Sequence, residues 1–192
     1  MTTSRSPALS HHSRQARHAL TLLGATLLLA LSAKIAVPFY PVPMTLQTLA
    51  VIGLGFALGP WRAAAVVAPY LAEGAIGLPV FAGTPQKGVG LFYMLGPTGG
   101  YLLGYLPAAM IAGWAGTLNP SVNPVAVAAV ALLASAVIYV PGLLWLGAVI
   151  GFDKSVLQYG LYPFILGDVT KAVLAGLLFV AGRTAFAGKV QP

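Results

Sequence analysis

The sequence predicts an all-α membrane protein, a bundle of about six membrane-crossing helices, and three observations carry that prediction. Of its 192 residues 58% are hydrophobic and only 7% charged, against roughly 25% charged in a soluble domain that must face water. The apolar residues fall into six runs divided by short polar or Gly/Pro-rich connections, the pattern of successive spans rather than of one buried core. The basic residues sort by side. With the N-terminus placed in the cytoplasm, cytoplasmic segments hold Arg5, Arg14, Arg17, Arg62, Arg183 and Lys189, while the outer loops hold Lys87 and Lys154, with Lys34 near the outer end of the first span. That bias follows the positive-inside rule, and an even number of spans returns the C-terminus to the same side.

The elements follow in order. Residues 1–18 are rich in Ser, His and Arg and read as a flexible cytoplasmic tail. Residues 19–184 form the membrane domain and 185–192 a short cytoplasmic end. The first apolar run, 19–37, leads into the Pro-rich stretch 37–43. A basic start, an apolar run and the small residues Ala30 and Ser32 also resemble a cleavable signal peptide; the run's continuation past that point and the spans beyond it favour a membrane helix. The second run, 45–58, stops at Gly59-Pro60-Trp61-Arg62 and is short for a span. The third covers 63–76 and is followed by a Gly/Pro-rich connection over 77–90. The fourth, 89–115, contains Gly96-Pro97-Thr98-Gly99-Gly100 and is not expected to be one regular helix. The fifth covers 125–150 and the sixth 157–180, separated by Asp153 and Lys154.

Much chemistry is excluded. There is no cysteine, and His11, His12 and His18 all lie in the N-terminal stretch, so thiolate chemistry and an intramembrane imidazole are ruled out. No GxxxxGK[ST] segment, nucleophile elbow or HExxH motif occurs. The chain is therefore not expected to be an enzyme, to hydrolyse ATP itself or to need a cofactor or metal.

Charge inside the apolar runs is the informative remainder. Asp168 and Lys171 sit within the sixth run, three residues apart and thus on one helical face. A charge at the centre of a membrane helix costs about 2.5–3.5 kcal/mol on insertion scales. The pair is either a packing device or a polar pocket offering a carboxylate beside an ammonium, and intramembrane ions favour the pocket. Glu73 lines the cavity or its outer rim. Lys34 is expected to snorkel to the headgroups. Gln47 satisfies backbone groups or touches a ligand. Tyr93 and Tyr101 are interface anchors or pocket walls. Irregular backbone at membrane depth persists only when it is buried or lines a cavity, so the Gly/Pro stretches 83–90 and 96–100 suggest an outward-facing pocket with a loop cover.

Five segments in order give the chain a resemblance to a known family: Lys34-Ile-Ala-Val-Pro38, Pro41-Val-Pro-Met-Thr-Leu-Gln47, Gly77-Leu-Pro-Val-Phe-Ala-Gly83, Gly96-Pro-Thr-Gly-Gly-Tyr-Leu102 and Pro163-Phe-Ile-Leu-Gly-Asp-Val-Thr-Lys171. Over roughly 19–182 the chain resembles the BioY family, the biotin-binding S components of energy-coupling factor (ECF) transporters. The resemblance implies a six-helix bundle in the bacterial cytoplasmic membrane, a biotin pocket near the outer face closed by the loop after the first helix, and partners comprising a transmembrane coupling subunit and two ATPase subunits. It also implies docking through small residues four apart on the first helix, here Thr21/Ala25, Thr26/Ala30 and Ser32/Ala36. Asp168 then suits the ureido N–H donors, and Lys171 the valerate or the ureido carbonyl. Gln47, Thr84, Thr98 and Tyr101 lie within the family motifs, and Phe81 and Tyr93 would be apolar walls. The alternative to biotin capture is a stand-alone, proton-coupled secondary transporter for another small polar solute, working through Glu73 or Asp168.

Overall fold

A computed structural model describes residues 7–117 and 123–187. Helix α1 (Pro7–Lys34) is followed by two short strands, β1 (Ala36–Val37) and β2 (Met44–Thr45). Then come α2 (Gln47–Leu58), α3 (Pro60–Ala75), the short α4 (Gly90–Met94), α5 (Gly99–Thr117), α6 (Pro124–Ile150), the short α7 (Val156–Gly160) and α8 (Ile165–Ala187). Among the described residues three segments are long and apolar enough to cross a membrane: Gln15–Lys34, Pro124–Ile150 and Ile165–Ala185. Large apolar side chains point outward along them, including Leu20, Leu27 and Leu31 on α1, Val140 and Leu144 on α6, and Leu177 and Leu178 on α8. An outer surface of this kind is suited to lipid rather than water. The chain is a membrane protein.

Several boundaries differ from the sequence reading, each for a local reason. The helix of α1 extends back to Pro7, through most of the stretch expected as a flexible tail; residues 1–6 and 188–192 lie outside the described residues. The Pro-rich stretch after α1 is a small antiparallel hairpin, pairing Ala36 with Thr45 and Val37 with Met44. The fourth run is broken as expected, with α4 and α5 separated at Leu95–Thr98. The sixth run is also broken, which was not foreseen: Pro163 lacks the N–H that a continuous helix needs, and α8 restarts at Ile165. Asp168 therefore occupies the first turn of α8 rather than the centre of a helix.

Helix α5 is the centre of the bundle, packing on α2, α3 and α6. Small residues allow it. A Cβ on Gly55 of α2 would meet Ala109 O of α5 at 2.6 Å, and one on Gly113 of α5 would meet Pro60 N at 2.4 Å, so α2, the start of α3 and α5 are in backbone contact there. The α2–α3 link is tight: Gly59 takes φ +79°, where a side chain would be strained, and Pro60 begins α3. On α1, Ala25, Thr26 and Ser32 are buried within this chain. The small-residue pairs named above as a docking face thus each commit a member to packing α1 on its own bundle.

Candidate functional site

Three helices begin at one cavity. The first turns of α2 (Gln47, Thr48), α5 (Tyr101, Leu102) and α8 (Asp168) line it, as do Val42 to Thr45 of the hairpin, Thr98, Tyr93 of α4, Tyr105, and Ile138 and Tyr139 of α6. Phe164, Lys171 and Ala82 complete the wall. The space is about 530 Å³ when its open mouth is counted with it. Its walls are mainly aromatic and aliphatic, with the polar groups gathered at one end.

That end is the ion pair. Lys171 Nζ contacts Asp168 Oδ1, and each side chain is only 10% exposed. Thr48 Oγ1 donates to Asp168 Oδ1 at 3.2 Å, Tyr139 OH donates to Asp168 Oδ2, and Lys171 Nζ donates to Thr45 O at 3.0 Å. A carboxylate offers about four acceptor positions and an ammonium three donors. Among the described residues, three acceptor positions of Asp168 and two donors of Lys171 are filled. What remains is one acceptor position on Asp168 Oδ2 and one donor on Lys171 Nζ, the complement of an N–H and a C=O on a ligand. Asp168 also benefits from its place in the first turn of α8, where the helix dipole favours negative charge.

The remaining polar side chains are anchored. Gln47 Nε2 donates to Tyr70 OH at 2.6 Å, and Gln47 Oε1 accepts from Thr45 Oγ1 at 3.2 Å. Tyr70 OH in turn donates to Val80 O at 3.1 Å. Tyr101 OH donates to Gly160 O at 2.8 Å, and its ring meets Tyr139 edge-on, centroids 5.9 Å apart. Tyr93 stacks on Phe81 at 5.3 Å. Both Tyr93 and Tyr101 are buried, which makes them walls of the cavity rather than interface anchors.

Of the side chains singled out in the sequence, Asp168, Lys171, Gln47, Tyr93, Thr98 and Tyr101 meet at this cavity. Phe81 and Thr84 do not line it. Phe81 is buried behind Tyr93 and over Gly74, where an added Cβ would overlap its ring. Thr84 turns away to donate to Phe81 O at 2.7 Å and to accept from Lys34. Lys34 does not snorkel: its ammonium donates to Phe81 O at 2.9 Å, Thr84 Oγ1 at 3.1 Å and Thr84 O at 3.2 Å. Glu73 is half-buried and lies off the cavity. Sequence reasoning missed Thr48, Tyr105 and Tyr139. Tyr105 could have been found, since it follows Tyr101 by one helical turn. Tyr139 lies in an apolar run where the one hint of a polar face is Ser135, one helical turn before it.

Comparison with known proteins gives the family and the fold. The family model described as the BioY family matches residues 3–188. The probable biotin transporter BioY of Pyrococcus horikoshii is 37% identical over 152 residues, covering 79% of this chain and 86% of that protein. The biotin transporter BioY of Rhodobacter capsulatus is 40% identical over 174 residues, covering 83% and 90%. Among solved structures, the S-component for biotin from an ECF-type ABC transporter superposes with a TM-score of 0.71 over 94% of this chain and 95% of that one, at 24% identity, and so shares the fold. Matched by the family model over 3–188 and by relatives over about four fifths of its length, the chain belongs to the BioY family.

Proposed function

We propose that this chain captures biotin and serves as the substrate-specific membrane subunit of an ECF-type transporter. The observation that carries the reading is the buried Asp168–Lys171 pair at the polar end of an otherwise apolar cavity. Biotin has a ureido group whose N–H and C=O lie side by side, an apolar bicyclic body and a flexible carboxylate tail. The acceptor left on Asp168 takes the ureido N–H and the donor left on Lys171 takes its carbonyl, while Tyr93, Tyr101, Tyr105 and Phe164 enclose the bicycle. Gln47 and Thr98 complete the polar lining, and Phe81 and Thr84 act from behind the wall. The relatives' names, which call them biotin transporters, support the same ligand.

The six longer helices α1, α2, α3, α5, α6 and α8 cross a bacterial cytoplasmic membrane, with both termini in the cytoplasm and the cavity towards the outside. The Lys/Arg bias supports that orientation. Helix α2 has 12 residues, about 18 Å of rise, too short to span alone, and the hairpin before it completes the depth. Transport energy comes from partners, a transmembrane coupling subunit with two ATPase subunits. Proton coupling finds less support: Glu73 is off the cavity, and Asp168 is held by Lys171 and two hydroxyl donors.

The decisive experiment is equilibrium binding of labelled biotin to the purified chain in detergent, without partners or ATP. Saturable binding at nanomolar to low micromolar ligand is the expected result. A monodisperse chain that binds no biotin refutes the reading and directs the search to proton-driven uptake of other solutes.

A further inference from the structure

The loop over residues 76–89 reaches the cavity through one small side chain, Ala82, which is buried in its wall. Phe81 beside it props Tyr93 from behind. The loop's start is tied to α3, where Ile76, Gly77 and Leu78 N donate to Ala72, Gly74 and Glu73 O, and beyond it the backbone bonds are short turns, such as Thr84 N to Phe81 O and Lys87 N to Gly83 O. Two side chains from elsewhere fasten it. Tyr70 of α3 holds Val80 O. Lys34, the last residue of α1, places its ammonium among Phe81 O, Thr84 O and Thr84 Oγ1 at 2.9–3.2 Å. An ammonium has three N–H donors, and all three are matched to acceptors on one four-residue turn. The Thr84 hydroxyl, accepting from Lys34, donates its own O–H to Phe81 O.

We infer that Lys34 is a positioning residue that clasps residues 81–84 against the cavity and thereby sets how long the ligand stays bound. The inference rests on the biotin reading for the identity of the ligand only. Lys34 touches no cavity surface itself; it acts through Phe81, Ala82 and Thr84. Lys34 is exposed, so water tempers these charge-assisted bonds; removing the ammonium still takes from Thr84 O its side-chain donor, while Phe81 O keeps Thr84. The turn then lifts more often. A bound ligand then leaves faster.

The test uses two readouts on the full chain. The first is the dissociation rate of labelled biotin from Lys34→Met, expected to rise at least about tenfold with no fall in the association rate. The second needs no ligand. The chain has no cysteine, so Ala82→Cys is a lone reporter thiol, buried while the turn is seated; its maleimide labelling should quicken about tenfold when Lys34→Met is added. Ala131→Cys, buried in α6, is the control and should label at the same slow rate in both backgrounds. Dissociation within about twofold of the native rate, or equal quickening at both cysteines, overturns the clasp and leaves Lys34 a general contributor to stability. Should Lys34→Met not fold, Thr84→Val removes one of the three acceptors, and a smaller rise in both readouts is required. A native chain that binds no biotin sinks the ligand assignment, while the labelling comparison still decides the clasp.

Discussion

Replacing Asp168 by Asn tests the site at its most loaded atom pair. Asn keeps the shape and one acceptor oxygen but puts an NH₂ group where the second carboxylate oxygen stood. In the native protein Oδ1 receives Thr48 and Lys171, and Oδ2 receives Tyr139. With the amide oxygen kept at Oδ1, Thr48 and Lys171 retain their acceptor and the Tyr139 hydroxyl must turn to accept from the NH₂; with the amide reversed, the NH₂ faces the Lys171 ammonium. Lys171 loses its counter-charge in a setting where it is only 10% exposed, keeping Thr45 O at 3.0 Å as partial compensation. For the ligand, a charge-assisted N–H contact becomes at best a neutral one, and Lys171 is no longer aimed by its partner. Each such bond is worth about 1.5–3 kcal/mol, so biotin affinity should fall by about 2–3 kcal/mol, roughly 30- to 150-fold. Breaking a buried pair can also cost about 3–5 kcal/mol of stability, so the binding isotherm is paired with a thermal melt, and only folded protein is counted. A folded Asp168→Asn chain with native affinity would place the ligand elsewhere and refute the site.

Three further outcomes follow from the same geometry. Tyr139→Phe keeps the ring against Tyr101 but removes the donor to Asp168, so affinity should fall about 5- to 30-fold with little change in melting temperature. Lys171→Ala should weaken biotin and an analogue lacking the valerate carboxylate by the same factor, because its open donor is assigned to the ureido carbonyl; a loss confined to biotin would move Lys171 to the carboxylate. Gly74→Ala forces a methyl group into the Phe81 ring; overpacking of this kind costs about 1–3 kcal/mol. It should lower the melting temperature and loosen biotin together.

What was legible in the sequence was mostly what hydropathy and charge encode. The six apolar runs each overlap one of the longer helices, and the rarity of charge in them drew attention to Asp168 and Lys171. The break within the sixth run was less visible, because Leu161, Phe164 and Ile165 are as apolar as a span and only Pro163 marks the interruption. Tyr139 and Thr48 were hidden for a different reason. A tyrosine among aliphatic residues reads as packing until the fold shows that α6 faces the start of α8. Lys34 was misread because a lysine at a helix end has a ready partner in the headgroups; its acceptors lie 47 and 50 residues away, on a turn whose position no local pattern gives.

The broken sixth run also explains how two charges can be kept in an apolar bundle. In an uninterrupted helix both would need partners from other elements, because the helix's own amides are all used. Restarting the helix at Ile165 leaves Asp168 in a first turn, where the backbone dipole favours a carboxylate. The same dipole disfavours Lys171, and the sequence answers by placing it one turn on from Asp168 and within reach of Thr45 O, an acceptor on the hairpin after α1. Helices α2 and α5 begin at the same cavity. The cavity is therefore edged by helix starts and turns, whose backbone is not wholly consumed by helical bonding. Polar recognition inside such a bundle requires interruptions of this kind, and they coincide with the Gly/Pro-rich motifs that carry the family resemblance.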